Sequence, residues 1–158
     1  MSAPAGPEIA ELEAQEARLT LRRFTHDDAW ALGSMLVEMA RLREAPVAIG
    51  IHRGPQQLFH CALPGSSADN DAWIDLKRRV VERYGESSLL VGSRFRVKGR
   101  TFETDSRLDP DTYAAHGGSF PIRIKAVGVV GTITVSGLAQ LEDHAMVVEA
   151  LERFTADH

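Results

Sequence analysis

Residues 120–137, FPIRIKAVGVVGTITVSG, carry the pattern of two β-strands joined by a tight turn. Apolar and polar side chains alternate in both halves, which is typical of strands with one buried face. The apolar positions are Ile122, Ile124, Val129, Ile133 and Val135, and the polar ones between them are Arg123, Lys125, Thr132 and Thr134. A connection as short as residues 126–128 requires antiparallel pairing. The stretch therefore predicts a β-hairpin.

A second hairpin and several helices are predicted around the first hairpin. Residues 47–51 (VAIGI) and 58–63 (LFHCAL) predict the second hairpin, and residues 19–24 (LTLRRF) predict a short fifth strand. Helices are expected over residues 7–19, 25–44, 72–85, 87–99 and 140–154. The expected helix caps are Thr25, Asn70 or Asp71, and Gly85, and the expected buried stripe of the second helix is Leu32, Met35, Leu36, Met39 and Leu42.

The order of these elements predicts an α+β fold. Hairpins imply an antiparallel sheet, and the helices between them must cover its faces. No linker or repeat divides the chain, so residues 1–18 are interpreted as an N-terminal tail with a short helix. Residues 19–158 are interpreted as a single domain, a length sufficient for one hydrophobic core.

Composition excludes several classes of protein. The 158 residues include 18 Lys plus Arg against 22 Asp plus Glu, a formal charge of -4 without a basic block, which argues against nucleic-acid binding. Cys61 is the only cysteine, so no internal disulfide or thiolate cluster can form. The first residues have no apolar h-region, so no secretory signal is expected. The longest apolar tract, residues 126–139, is too short and interrupted to span a bilayer. We expect a cytoplasmic protein without membrane contact.

Lys77 interrupts an apolar helical stripe that contains Trp73, Val80, Val81 and Tyr84. One interpretation is snorkelling, in which the stem is buried and the ammonium reaches water. The alternative is an ammonium that points into a pocket and holds a carboxylate.

Two histidines also lie at positions that the apolar pattern would bury. His144 shares a helix face with Leu141 and Val148 and follows Asp143, near a helix start. It is either a core histidine satisfied by the backbone or a neutral imidazole that could bind a ligand. His60 shares a strand face with Leu58 and is expected to be half-buried, whereas His26 and His52 are expected at the surface. No pair of histidines has the spacing of a helical zinc site, so no metal site is predicted.

The stretch YAAHGGSFPI, residues 113–122, ends a long connection and enters a strand. Gly117 and Gly118 permit positive φ or the close approach of a ligand, and His116 titrates near neutrality. This segment is expected to form one wall of a pocket, and Ser136 with the start of the last helix is expected to form another. Asn70 and Lys77 are expected to close it. No dinucleotide, P-loop or α/β-hydrolase motif is present in the sequence.

The segment HGGSFPIRIKAVGVVGTITVSGLAQLEDHAMVVEAL, residues 116–151, closely resembles the C-terminal half of the GlcG/HbpS-like proteins. The shared features are a glycine pair and proline, a strand ending in VSG, and an Asp-led helix. Residues 66–81, SSADNDAWIDLKRRVV, resemble a Trp- and Lys-bearing helix of a branch catalogued as uncharacterised and often labelled a haem-degrading domain. The resemblance covers residues 24–154. It implies a profilin-like α-β-α sandwich, with an antiparallel sheet of about five strands and helices on both faces, and it implies homo-oligomers.

Three functions remain open. The family resemblance implies a haem-binding or haem-degrading protein, with His116, His144 or His60 as the candidate iron ligand. The alternative is a non-enzymatic, oligomeric module that binds a small ligand or a partner, and a third is an enzyme acting on a small carboxylic acid. We expect one cavity that attracts sulfate, phosphate or a carboxylate. The expected pocket residues are Asn70, Lys77, Tyr113, His116, Gly117, Gly118, Ser136, Asp143 and His144.

Overall fold

A computed structural model describes residues 7–158 as six helices and four strands. The helices are α1 (Ile9–Arg18), α2 (His26–Leu42), α3 (Ala68–Tyr84), α4 (Ser88–Val97), α5 (Phe102–Asp105) and α6 (Gln140–Asp157). The strands are β1 (Ala48–Arg53), β2 (Gln56–Ala62), β3 (Ser119–Ile124) and β4 (Gly128–Ser136). They form a sheet in the order β2-β1-β4-β3 with every neighbouring pair antiparallel. The α+β class and both hairpins are confirmed.

The prediction of about five strands is wrong, because the sheet has four. In the predicted fifth strand only Leu21 pairs, through an isolated parallel bridge to Ile124. The Leu21 N–H donates to Arg123 O, and Leu21 O accepts from the Lys125 N–H, each at 2.8 Å. The chain then turns at Thr25 into α2, so it leaves the sheet edge before a second pair of hydrogen bonds can form.

The main hydrophobic core lies between the sheet and helices α2 and α6. Side chains alternate across a strand, so every second residue of the sheet faces these helices. The largest buried members of this layer include Leu32, Leu36, Ile49, Ile51, Phe120, Ile122, Ile133, Leu151 and Phe154. The apolar face predicted for residues 120–137 is therefore the core face, except at Val129, which lies near the hairpin tip and is exposed.

The opposite face of the sheet carries small and polar side chains, and α3 packs against it. Its residues on β1 and β4 are Ala48, Gly50, His52, Thr132, Thr134 and Ser136. A Cβ at Gly50 would stand 3.3 Å from Ile74 Cγ2, so the glycine lets α3 approach closely. His52, expected at the surface, is buried because the alternation of β1 continues past Ile51 beneath α3. Burial lowers the pKa of His52 to about 4.

Helix ends follow local capping chemistry, with two corrections. Thr25 caps α2 in a capping box with Asp28, as predicted, and Gly85 ends α3 with φ 72°. The cap of α3 is Ser67, not Asn70 or Asp71, and its N–H donates to Asn70 Oδ1 at 2.8 Å. Leu42 is 83% exposed rather than part of the buried stripe, because the last turn of α2 extends past the core.

Helix α1 belongs to the packed domain. Leu12 is fully buried against Leu89 and Leu90 of α4. Glu16 accepts the Ser87 N–H at 3.1 Å, and burial raises the pKa of its carboxyl group. Residues 1–6 of the predicted tail lie outside the described residues. Between residues 7 and 158 no helix is long and apolar enough to cross a membrane.

Candidate functional site

The first turns of α3 and α6 meet the end of β4 around a cavity of about 220 Å³ that opens to solvent. Strand β4 ends at Ser136 and α6 begins at Gln140, so the short connection carries backbone and side chains into the same space. Residues from the predicted pocket that line the cavity are Asn70, Lys77, His116, Ser136 and Asp143. Its other lining residues are Asp69, Trp73, Gly137, Leu138 and Gln140.

Lys77 lies at the floor of this cavity and is only 4% exposed. Its Nζ donates to Asp143 Oδ2 at 3.0 Å and to Val135 O at 3.2 Å. The snorkelling interpretation is therefore wrong: α3 packs so closely on β4 that the ammonium is held between them. Burial lowers the pKa of the Lys77 ammonium, and the charge of Asp143 opposes that shift.

Asp143, in the first turn of α6, supplies the counter-charge and is almost completely buried. Oδ1 accepts the Leu138 N–H at 2.9 Å, and Oδ2 accepts the Gly137 N–H at 3.4 Å. These amides precede the helix, where the backbone dipoles favour negative charge. Burial nevertheless raises the pKa of the Asp143 carboxyl group, opposed by the charge of Lys77. The protein's own carboxylate thus fills the position at which the sequence predicted a ligand anion.

The two glycines of the sequence HGGS are required by close contacts within the protein. A Cβ at Gly117 would stand 2.4 Å from Gln140 O. Gly118 has φ 137°, and a Cβ there would stand 2.4 Å from Val135 O and 2.7 Å from Lys77 Nζ. None of these three distances is attainable without movement of the backbone or of the ion pair. Glycine here allows the strand to pack against the start of α6 and the Lys77 nitrogen.

The rim of the cavity is polar and carries an aromatic pair. The His116 side chain is 45% exposed, its ring centroid lies 5.3 Å from that of Trp73, and its Nε2 lies 3.7 Å from Glu103 Oε1. Gln140 Oε1 accepts the Gly117 N–H at 3.0 Å, and Asn70 Oδ1 accepts the Ser67 N–H. Both amide groups still have their NH₂ donors for a ligand.

Sequence reasoning missed Asp69, Trp73 and Gln140 as lining residues. Asp69 and Trp73 lie eight and four residues before Lys77, so they share its helix face and could have been found from that spacing. Trp73 was instead assigned to the apolar stripe. Gln140 is the first residue of α6, and the start of that helix was expected to form a wall of the pocket, although Gln140 itself was not named.

The expectation that Tyr113 and His144 share this cavity is not met. His144 is 3% exposed, and its Nε2 lies 2.8 Å from Gln15 Oε1 on the side of α1. Successive helix residues diverge by about 100°, so Asp143 faces the cavity and His144 does not. Burial lowers the pKa of His144 to about 4. Tyr113 packs with the cluster around Phe102.

His60 lies on β2, away from the cavity, and is more exposed than the sequence suggested. Its Nε2 lies 2.6 Å from Asp71 Oδ1. Because β2 is the edge strand farthest from β3, His60 and the connection that carries His116 belong to different parts of the domain.

A comparison with protein families identifies the group to which the sequence belongs. The profile described as haem degrading protein HbpS-like matches residues 24–152. The chain belongs to this family. The resemblance found in residues 116–151 is therefore confirmed. A UPF0303 protein of Streptomyces coelicolor is 72% identical over 156 residues, which cover 99% of each chain.

Solved structures of proteins with lower sequence identity share the fold. The crystal structure of Ybr137w protein is 34% identical, with a TM-score of 0.88 and coverage of 95% of this chain and 89% of that chain. A structure of a PduOC:haem complex is 16% identical, with a TM-score of 0.69 and coverage of 82% and 93%. At that identity the likeness to PduOC shows the fold alone.

Of the three predicted iron ligands, only His116 lines the cavity. His144 is buried beside Phe120, and His60 lies outside the cavity. His116 does line it, but about 220 Å³ is below the roughly 300–1,000 Å³ of pockets that enclose drug-sized ligands. The lining is mostly polar, with Trp73 and Leu138 as its apolar side chains, whereas a haem macrocycle is flat and largely apolar. Within residues 7–158 no group of three or more His, Cys, Asp or Glu side chains could hold a metal ion.

Proposed function

We propose that this protein binds a small, uncharged, polar molecule in the cavity above Lys77 and Asp143. The observation that carries the proposal is a buried ion pair at the floor of an open cavity. Desolvating two charges costs several kcal/mol per ion before their attraction is counted, and apolar side chains of similar volume often give equal or greater stability. Stability alone therefore does not explain a buried ion pair that faces a cavity, and its position supports a role in ligand recognition.

The charge of the lining sets the class of ligand. Asp143 already neutralises Lys77, and Asp69 adds a further negative charge at the rim. A ligand carboxylate bound at Lys77 would lie close to the Asp143 carboxylate, and the two negative charges would repel each other. This argues against sulfate, phosphate or a small carboxylic acid, which the sequence had suggested.

The remaining polar groups suit hydroxyl or carbonyl oxygens. Asn70 and Gln140 offer amide NH₂ donors, and Ser136 offers a hydroxyl that both donates and accepts. Trp73 supplies an apolar surface for the carbon atoms of the ligand. A short hydroxylated aldehyde, ketone or polyol matches this combination.

Tryptophan fluorescence can test the proposal, because Trp73 lines the cavity and Trp30 is the only other tryptophan. In Trp30→Phe protein, saturable changes in Trp73 emission are expected with dihydroxyacetone or glycerol. Acetate and phosphate should give weaker changes. Tighter binding of the anions, or no saturable change with either neutral probe, would contradict the proposal. Ser136→Ala should weaken binding of the neutral probes.

Haem binding is the second candidate, favoured by family membership and by the shared fold with the PduOC:haem complex. A haem titration followed by absorbance distinguishes it from the first. A Soret shift that disappears in His116→Ala protein would favour haem. Without that shift, the small-ligand proposal is the better account of the cavity.

A further inference from the structure

The nitrogen of Lys77 is set at the bottom of the cavity as a potential reacting atom. As an ammonium it has three hydrogens, and Asp143 and Val135 O accept two of them. The third direction has no hydrogen-bond partner among residues 7–158. Any side chain at residue 118 would press on this nitrogen, because a Cβ there would stand 2.7 Å from Nζ. Gly118 therefore leaves room for the Lys77 nitrogen at the floor of the cavity, which Lys77 lines.

The surroundings of Lys77 also lower the free-energy cost of converting its ammonium group to a neutral amine. Burial lowers the pKa of Lys77 and raises the pKa of Asp143, so both shifts reduce the cost of moving a proton from Nζ to Oδ2. The two atoms are 3.0 Å apart, within direct hydrogen-bond distance. Desolvation is one way in which proteins activate a lysine amine as a nucleophile, and an adjacent general base is the way in which they activate several other nucleophiles.

We propose that Lys77 is a nucleophile that forms an imine with a small, neutral aldehyde or ketone, and that Asp143 transfers the protons. The inference rests on the proposed function, because it assigns a reaction to the same cavity. It also narrows the ligand class from polar molecules in general to those with a reactive carbonyl carbon.

The reaction balances without an oxidant, a reductant or a second substrate. The proton of the Lys77 ammonium first passes to Asp143, and the Nζ lone pair attacks the carbonyl carbon. The C=O π electrons move to oxygen, which takes the Asp143 proton. The carboxylate then recovers a proton from the nitrogen to give a neutral carbinolamine. A second transfer from Asp143 to the hydroxyl releases water as the C=N bond forms.

The charges at the floor of the cavity are the same in the product as in the free protein. It is a protonated imine beside the Asp143 carboxylate, so one cation replaces another at the same position. The polar rim provides the selectivity: Asn70, Ser136 and Gln140 can bind hydroxyl groups next to the carbonyl carbon. Hydroxylated carbonyl compounds should therefore react better than simple alkyl aldehydes of the same length.

Reductive trapping tests the proposal in the intact protein. Dihydroxyacetone with sodium cyanoborohydride should add one probe molecule, minus water and plus two hydrogens, at Lys77. The chain has two further lysines, Lys98 and Lys125, both exposed, which serve as internal controls in the same peptide map. Faster labelling of Lys77 than of either control is expected. Labelling confined to Lys98, Lys125 or the N-terminal amine would overturn the proposal without any variant.

Two variants separate the chemistry from binding. Lys77→Met should abolish labelling at residue 77 while the two exposed lysines react as before. Asp143→Asn should slow labelling of Lys77 by roughly 10²-fold or more, the range for general acid–base catalysis. An unchanged rate in this variant would refute the role of Asp143. If dihydroxyacetone alters Trp73 fluorescence but Lys77 is not trapped, imine formation is refuted and ligand binding stands. If neither occurs, both proposals fail.

Discussion

At the scale of single residues, Gly118, Lys77 and Asp143 form one tightly packed unit. The glycine is needed for two reasons: its φ is positive, and neighbouring atoms occupy the space where a side chain would begin. Gly128, the first residue of β4, has a similar φ of 112° but no heavy atom within 4 Å of its Cβ position. Comparing substitutions at these two glycines therefore separates the effect of backbone strain from the effect of close packing.

Gly118→Ala should destabilise the protein more than Gly128→Ala. Strain at an unfavourable φ costs of order 1–3 kcal/mol in both variants. Only Gly118→Ala also forces Val135 O and Lys77 Nζ to move. We therefore expect its free energy of unfolding to fall by at least about 1 kcal/mol more than that of Gly128→Ala. Urea denaturation of both variants measures the difference. Equal losses would show that the contacts around residue 118 relax without cost.

His144 should make stability depend on pH below neutrality. Its pKa falls from the ordinary 6.5 to about 4 in the folded protein, because burial disfavours the charged ring. Above pH 6.5 the His144 ring is neutral in both the folded and the unfolded chain, and its contribution to stability is fully present. As pH falls from 6.5 to 4, the unfolded chain binds a proton that the folded chain does not, which removes roughly 3 kcal/mol.

Stability measured between pH 7 and pH 5 tests the role of His144. His144→Asn should give a shallower decline than the original protein, although the buried His52, with a pKa of about 4, leaves part of the slope. His26→Asn, at an exposed position, is the matched control and should keep the full slope. An identical slope in His144→Asn protein would contradict the assignment.

At the scale of secondary-structure elements, α2 shows how far an amphipathic pattern can be trusted. The spacing of Leu32, Leu36 and Met39 correctly identifies the buried face. The same spacing includes Leu42, which is exposed because the final turn passes the edge of the core. Periodicity gives the direction of a side chain, whereas burial also requires an element opposite to it.

Leu36→Ala and Leu42→Ala compare two identical substitutions on this helix. Leu36 is fully buried, so its truncation should cost about 2–5 kcal/mol of unfolding free energy. Leu42→Ala should change stability by less than about 0.5 kcal/mol in a monomer. Chemical denaturation measures both. A large loss for Leu42→Ala would mean that another surface covers this residue.

At the scale of the whole molecule, the apolar surface supports the prediction of a homo-oligomer. Most apolar side chains of the hairpin formed by β3 and β4 lie in the core of the same chain. Its tip remains exposed, with Val127 at 70% and Val129 at 38%, and Trp30 is 68% exposed on α2. Exposed apolar side chains of this size favour association when they form a contiguous patch.

Sedimentation velocity at micromolar concentration should give a particle heavier than the 17.3 kDa chain. If the hairpin tip lies in the contact, Val127→Lys should reduce the mass, because a buried unpaired ammonium is costly. Val97→Lys is the matched control, since Val97 is 72% exposed on α4, away from the tip. A 17.3 kDa particle for the original protein would contradict oligomer formation.

The sequence missed the four-residue helix α5 and predicted a strand at residues 19–24 that does not form. It determined by itself both hairpins, the five longer helices and most of the core face of the sheet. It did so because alternation and helical spacing depend on the local backbone, and because Thr25 and Gly85 act on neighbouring residues. It also marked Lys77 as anomalous, since a lysine breaks an apolar stripe wherever the helix is placed. These properties require no knowledge of distant contacts.

Only the tertiary structure decided what the anomalous residues do. Lys77 and Asp143 are 66 positions apart, and their pairing depends on how closely α3 packs on β4. The placement of α6 likewise brings His144 next to Gln15 of α1 and brings Gln140 into the cavity. A spacing rule gives a side chain's direction within its own element. The partner of a charged side chain such as Lys77 is set by long-range packing, because the cost of burying a charge depends on which groups surround that charge in the folded chain.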